Sequence, residues 1–363
     1  MKFRCERDVL VEALSTAHRA TTSRAALPVL SGLRLALSGD RLRVTGSDLD
    51  LTITTELQVA GSEDGVSVLP AKLAVDIVRA LEPGAVEIDT SGDAPYIRAG
   101  RSEFRLTAFP ADEYPNPQVP TGDSVELEAS HLAEGLRQVV GAASGDESRP
   151  ILTGVLLAAE EGGLRLVSTD SYRLAYRDLP GAGLLEQGQH VLIPSRALQE
   201  LARALGDADH VSLVLSDQMA LFDVGRIQLV TRLIKGDFPD YQKLIPTEMP
   251  NVLTVERLTL QDAIRRVRLM ARENSPIRLT MGSDGLELRA ITQDIGEAVE
   301  QIDAKYEGEE LTVAFNPEYL MDGLDVTEGD EVILQTRDAQ RPAVLRSLGG
   351  GDYLYLLMPV RVS

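Results

Sequence analysis

The sequence contains no tryptophan, one cysteine, four histidines and few aromatic residues, 4% of 363. With so little aromatic bulk the interior must be filled by Leu, Val, Ile and Ala, and a hydrophobic content of 44% suffices for that. Cys5 alone excludes an internal disulfide and fits a reducing, cytoplasmic setting. No apolar run approaches the roughly 20 residues of a membrane helix, so no membrane partner is expected. The opening Met1–Arg7 is charged at once and lacks the apolar centre of a signal peptide. His18, His131, His190 and His210 are scattered without metal-ligand spacing, and one cysteine cannot build a zinc cluster. The G-x-S-x-G, G-x-G-x-x-G and Walker patterns are missing as well. Gly349-Gly350-Gly351-Asp352 precedes a strand-like run and reads as a hairpin loop. No catalytic residue, metal or cofactor is therefore expected. Asp48, Asp50 and Asp170 could be imagined in acid–base or metal work, which gives a distant alternative, a repeat-built hydrolase. Their plainer reading is as turn residues recurring at one structural place.

Positive charge is also short. There are 36 Lys and Arg against 56 Asp and Glu, a net charge of −20. Such a surface repels phosphate, although salt limits the reach to about 10 Å. Nucleic acid remains a possible partner only if the basic residues gather on one face.

What is present is repetition. The segment from Arg24 through Pro28 leads to Ser47-Asp48, that from Arg149-Pro150 to Thr169-Asp170, and that from Asn274-Ser275-Pro276 to Gln293-Asp294. Pro28 and Pro150 each precede their Asp by 20 positions (48−28, 170−150), and the third copy by 18 (294−276). Leu69-Pro70-Ala71, Ile193-Pro194-Ser195 and Asn316-Pro317-Glu318 follow, each proline expected to open a helix. Tyr114-Pro115, Phe238-Pro239 and Met358-Pro359 close the copies. Three ordered landmarks recur three times, with a period of about 120 residues (150−28 is 122, 276−150 is 126).

Each copy begins with apolar residues at helical spacing: Val9, Leu10, Ala13, Leu14, Ala17; then Leu132, Leu136, Val139, Val140 behind Ser130 as N-cap; then Leu260, Ile264, Val267, Met270. Period-two runs such as Leu33, Leu35, Leu37 mark strands. Each repeat reads as helix, short strands, helix, short strands: an α+β domain with two helices packed on antiparallel sheets. The expected domains are 1–119, 124–247 and 251–363, with linkers at 117–124 and 246–252.

The scarce basic residues concentrate on these helices. Arg265, Arg266, Arg268 and Arg272 face only Asp262 in the third repeat; Arg137, Arg196 and Arg203 belong to the second, and Arg19, Lys72 and Arg79 to the first. Together they fit one helical layer facing phosphate. Without interleaved aromatics, that layer would bind backbone charge and read no sequence.

Four motifs carry a resemblance over the whole length: Ser168-Thr169-Asp170-Ser171-Tyr172-Arg173-Leu174-Ala175, Gly236-Asp237-Phe238-Pro239-Asp240-Tyr241, Phe315-Asn316-Pro317-Glu318-Tyr319 and Leu357-Met358-Pro359-Val360-Arg361-Val362. The chain resembles the bacterial DNA polymerase III beta sliding clamp family. That resemblance implies three similar clamp domains and a head-to-tail homodimer closing into a six-domain ring around double-stranded DNA, bound without regard to sequence. It also implies a role as processivity factor. Partners would be the DNA polymerase III alpha subunit, other polymerases, the clamp loader and repair proteins, recruited by short linear motifs. The implied peptide pocket comprises Leu152, Thr169, Ser171, Tyr172, Arg173, Leu174, Pro239, Lys243, Leu244, Asn316, Tyr319, Pro342, Met358, Pro359, Val360 and Arg361. Leu152, Leu174, Leu244, Met358 and Val360 would be its floor, and Arg173 and Arg361 its anchors for peptide carbonyls or acids. Tyr172 stands where His is often found, Ser171 where Gly is frequent and Lys243 where Arg is common. These departures motivate a second reading, a duplicated clamp resistant to a clamp-binding inhibitor. Ring closure would use Phe104 and Leu106 against Leu269 and Met270, while Arg24 and Arg149 would join the DNA-contacting surface.

Overall fold

The computed structural model describes the chain except residues 23–26, 93, 161, 182–184, 186, 272–274, 294 and 362–363. Six α-helices lie among the described residues: α1 (Arg7–His18), α2 (Ala71–Ala80), α3 (Ala129–Val139), α4 (Ser195–Leu205), α5 (Arg257–Val267) and α6 (Pro317–Val326). Each repeat owns two, and strand pairing is antiparallel throughout. This is the α+β arrangement that the alternating periodicities predict.

The first helix of each repeat forms because its apolar residues fall three and four apart on one face. In α1, Leu10, Ala13, Leu14 and Ala17 are buried, and each fully buried Leu contributes about 1.5–3 kcal/mol. Val9, placed on the same stripe by spacing alone, is 44% exposed. Leu260, Ile264 and Val267 do the same work in α5, whereas Met270 falls in a following 3-10 turn. Ser130 is not the cap of α3. It lies inside the first turn, and its hydroxyl donates to Glu128 at 2.8 Å. The prolines also divide. Pro317 is the first residue of α6, capped by Asn316, whose side-chain oxygen accepts from the Glu318 and Tyr319 N–H groups. Pro70 and Pro194 instead end the strands Gly65–Pro70 and His190–Pro194, and the helix starts one residue later.

The chain divides into two compact units, residues 1–130 with 196–233 and residues 131–195 with 234–363. The middle repeat is shared between them because its sheets run on into its neighbours. In the first unit, Ile227–Thr231 pairs with Leu51–Thr55, making one eight-stranded sheet from strands of the first and second repeats. In the second, Arg173–Arg177 pairs with Tyr353–Leu357, making a nine-stranded sheet from the second and third. The outer sheets, five strands in the first repeat and four in the third, include Ser102–Arg105 and Gly296–Ile302 as edge strands.

The loop Leu348–Asp352, with its three glycines, joins the strands Ala343–Ser347 and Tyr353–Leu357 as the hairpin expected. Among the described residues no helix is long and apolar enough to cross a membrane.

Candidate functional site

Three segments of the second unit converge on Tyr172. The turn after strand Gly163–Thr169 is held by Asp170, whose Oδ1 accepts from the N–H groups of Tyr172 and Arg173, both at 2.9 Å. Ser171 inside it has a left-handed backbone, φ 81°. The start of α6 brings Tyr319, whose ring stacks on that of Tyr172 at 6.4 Å and 29°. The C-terminal segment is tied at both ends: Met358 N–H donates to the Tyr172 carbonyl and Val360 N–H to the Ala314 carbonyl, each at 2.8 Å. An exposed apolar surface results, with Tyr172 at 59% exposure beside Met358 at 39%. Met is well suited to receiving varied apolar side chains.

Beneath it Arg173 is a structural clamp, not the free rim anchor expected. Its side chain is only 11% exposed, pairs with Asp170 at 3.0 Å and with Asp322, and lies 4.4 Å from the Tyr319 ring centre. Burial works against the charge on Arg173. The Tyr355 hydroxyl and Asp322 more than offset it and hold the guanidinium above its ordinary range. Burial likewise pushes the Tyr355 phenol up, so it stays protonated and donates to the Tyr319 carbonyl at 2.9 Å. Sequence reading missed Asp322 and Tyr355. Asp322 sits three residues after Tyr319, on the same helix face, and that spacing could have found it.

Of the other pocket candidates, Leu174 and Leu152 are buried, Leu174 within a core cluster with Leu356, Val344 and Leu192. Thr169 is buried, its hydroxyl donating to the Arg173 carbonyl at 2.7 Å. Leu244 is 45% exposed, and Lys243 is paired with Asp240 at 2.6 Å. Pro239 lines a different hollow of about 270 Å³, with Leu156, His190, Phe238 and Tyr241. Pro342 is half-buried just before strand Ala343–Ser347, and Val360 and Arg361 line a further cavity on the third repeat.

The arginines expected to face DNA mostly have partners already. Arg196 pairs with Asp48, Arg203 with Glu200, Arg265 with Asp262 and Asp325, and Arg266 with Glu300. The third-repeat cluster is thus opposed by more than Asp262, because acids from other elements fold against it. Arg137 pairs with Glu134 and donates to the Asp325 and Val326 carbonyls, closing the C-terminal end of α6. Arg149 reaches Asp146 at 3.0 Å and the Asp170 carbonyl at 3.4 Å. Arg79 donates to the Ser15 hydroxyl, while Lys72 and Arg268 are exposed. Arg24 and Arg272 lie outside the described residues.

The four candidates at the closing edges differ in exposure. Phe104 is 40% exposed on the edge strand Ser102–Arg105, and Leu269 is 80% exposed. Met270 is half-exposed. Leu106, expected beside Phe104, is instead 7% exposed within the first repeat's core, because the strand ends at Arg105 and the chain turns inward.

Neither Asp48 nor Asp170 is placed for chemistry. Each uses one oxygen to cap its turn and the other to hold an arginine, Arg196 or Arg173.

Comparison with known proteins gives one family throughout. Its three domain models, described as the N-terminal, central and C-terminal domains of the DNA polymerase III beta subunit, match residues 1–118, 126–240 and 242–361. A relative in Streptomyces coelicolor named Beta sliding clamp is 35% identical, covering 100% of both chains. The Bacillus subtilis protein of that name is 34% identical over 99% of this chain and 100% of its own. Among solved structures, the Bacillus subtilis DNA polymerase sliding clamp superposes with a TM-score of 0.91 at 34% identity, covering 100% of both chains. A Pseudomonas aeruginosa sliding clamp bound to griselimycin gives 0.92 at 28% identity, again covering 100% of both.

Proposed function

The chain belongs to the DNA polymerase III beta subunit family, the bacterial sliding clamps, and we propose that it holds partner proteins on DNA without catalysing a reaction itself. Its domains are residues 1–119, 124–247 and 251–363. Two copies associate head to tail, edge strand Ser102–Arg105 of one against Gly296–Ile302 of the other, with Phe104, Leu269 and Met270 covered in the contact. Exposed edges offer unpaired backbone groups, and pairing them is a general way of removing that liability. Each contact joins two different surfaces, and a two-fold operation closes the ring with two of them.

Duplex DNA passes through that ring without sequence readout. Guanidinium groups already paired with carboxylates, such as Arg196 with Asp48, release little free energy on meeting phosphate. Weak contact suits a subunit that must slide, since topology and not affinity retains the DNA.

Partner proteins dock by short linear peptides at the Tyr172 surface, over Leu152, Leu174, Leu244, Met358 and Val360. The observation that carries this reading is the convergence of Tyr172, Tyr319 and Met358 into an exposed apolar surface clamped from below by Arg173. The partners are the polymerase III alpha subunit, other polymerases, the clamp loader and repair proteins.

Fluorescence anisotropy with a labelled peptide from the alpha subunit's carboxyl-terminal tail tests it. Met358→Asp should abolish binding while the protein stays dimeric in sedimentation; undiminished affinity would refute the docking site.

A further inference from the structure

A cavity of about 500 Å³ opens on the third repeat's four-stranded sheet, lined by Arg278, Thr312, Ala314, Gln340, Val360 and Arg361 among others. In a chain of net charge −20, no described residue lining it is a carboxylate. Arg278 and Arg361 are its two charged groups, and neither guanidinium makes an ion pair or hydrogen bond to a described residue. Most of the arginines considered above are, by contrast, held by an acid. Two guanidinium groups without a partner among the described residues, in a hollow whose described lining holds no acid, make a site for anions.

The sheet decides which anion. Along strand Ile277–Gly282, residues Ile277, Leu279 and Met281 are fully buried, while Arg278 and Thr280 alternate to the opposite face. Helix α5, which carries Arg265 and Arg266, packs on the neighbouring strands Gly285–Thr292 and Gly296–Ile302. The cavity therefore looks away from the basic helix face expected to meet DNA. It adjoins the proposed peptide surface instead. The segment Met358–Arg361 is the wall between them, bonded at Met358 to the Tyr172 turn and at Val360 to Ala314 in the cavity lining.

We infer that this cavity is an extension of the docking surface that receives acidic side chains flanking a partner's apolar linear motif, with Arg278 and Arg361 as their counter-charges. The inference rests on the peptide-docking reading above. Arg361 already belongs to that reading as an anchor for carbonyls or acids; the inference goes further by committing this end to acidic flanks and by adding a residue, Arg278, outside the sixteen pocket positions. Partners sharing one apolar motif would then be ranked by the charge of their flanks, and added salt would narrow that ranking.

Three synthetic peptides test it, all carrying the apolar motif of the polymerase alpha subunit's tail. One is flanked by Ser-Gly, one has two Asp before the motif, and one has two Asp after it. At low salt, one of the acidic peptides should bind about tenfold more tightly than the Ser-Gly peptide. Arg278→Ala should erase that advantage and leave Ser-Gly binding unchanged, while Arg278→Lys should keep part of it. Equal binding of all three to the unaltered protein, or an advantage that survives in Arg278→Ala, would overturn the cavity's role and leave the apolar docking surface standing. Failure of every peptide to bind would remove both. Loss of DNA retention in Arg278→Ala with peptide ranking intact would assign the cavity to phosphate and overturn the proposal.

Discussion

Leu49 and Ser171 occupy the same place in successive repeats and share a left-handed backbone, with φ of 80° and 81°. Each is one residue past a turn-capping aspartate, Asp48 or Asp170, whose side chain accepts the N–H groups that follow. For a residue with a β-carbon this conformation costs roughly 1–2 kcal/mol, and the capped turn sustains it.

Ser171 is the better place to test that cost, because its neighbour Tyr172 belongs to the proposed docking surface. Ser171→Gly removes the strain but adds freedom to the unfolded chain, and the net change should be stabilising by no more than about 1 kcal/mol. Ser171→Val, a branched residue in the same conformation, should destabilise by about 2 kcal/mol. Urea unfolding of both variants gives the comparison; equal stabilities would mean the turn relaxes.

Removing the Arg173 side chain leaves Asp170 buried without its counter-charge. Arg173→Ala should cost about 3 kcal/mol of stability and weaken peptide binding through loss of the Tyr319 platform. Tyr319→Phe keeps the ring under the guanidinium and should leave both nearly unchanged. A Phe variant as impaired as the Ala variant would show that ring packing is not what Arg173 secures.

The neighbours Phe104 and Leu106 should separate in experiment. Phe104→Asp, on an exposed edge, should convert dimer to monomer in sedimentation with folding intact. Leu106→Asp places a charge in the first repeat's core and should lower the melting temperature by many degrees. Dimer loss without unfolding in the Leu106 variant would return that residue to the interface.

Asp89 gives a pH signature. Hydrogen bonds from Ser91, at 2.6 and 2.9 Å, hold its carboxyl well below the usual range, helped by Lys2 at 3.0 Å and Tyr96 at 3.0 Å. A carboxyl depressed in the folded state stabilises fully above its unfolded value of about 4, and that contribution fades as pH falls further. Asp89→Asn should therefore be less stable than the parent at pH 7, with the gap closing below pH 4. A gap independent of pH would mean the carboxylate's charge is not what stabilises.

The repeat, the helix stripes and the Gly349–Gly351 hairpin were legible because each is written in neighbouring residues. Asp48 and Asp170 were legible as turn residues for the same reason. Leu106 was not: Phe104 and Leu106 share a strand face only while the strand lasts, and its end after Arg105 depends on contacts far along the chain. The partners of the arginines were not legible. Counting charge along one helix left out Glu300 and Asp325, which reach Arg266 and Arg265 from other elements. Arg173 entered the pocket through the resemblance alone, and nothing beside it in the chain names Asp322, 149 positions away, as its partner. Sheet continuity from repeat to repeat was equally hidden, since nothing in Ile227–Arg232 names Leu51–Gln58 as its partner.

That continuity separates the unit of ancestry from the unit of stability. The threefold pattern invites cutting the gene at its period, yet an excised middle repeat would carry two raw edges, Ile227–Arg232 and Arg173–Pro180, each stripped of a five-residue ladder. Such a fragment would aggregate or remain unfolded. Limited proteolysis should accordingly nick loops without releasing three resistant cores, and amide exchange should protect residues 51–55 and 227–231 together.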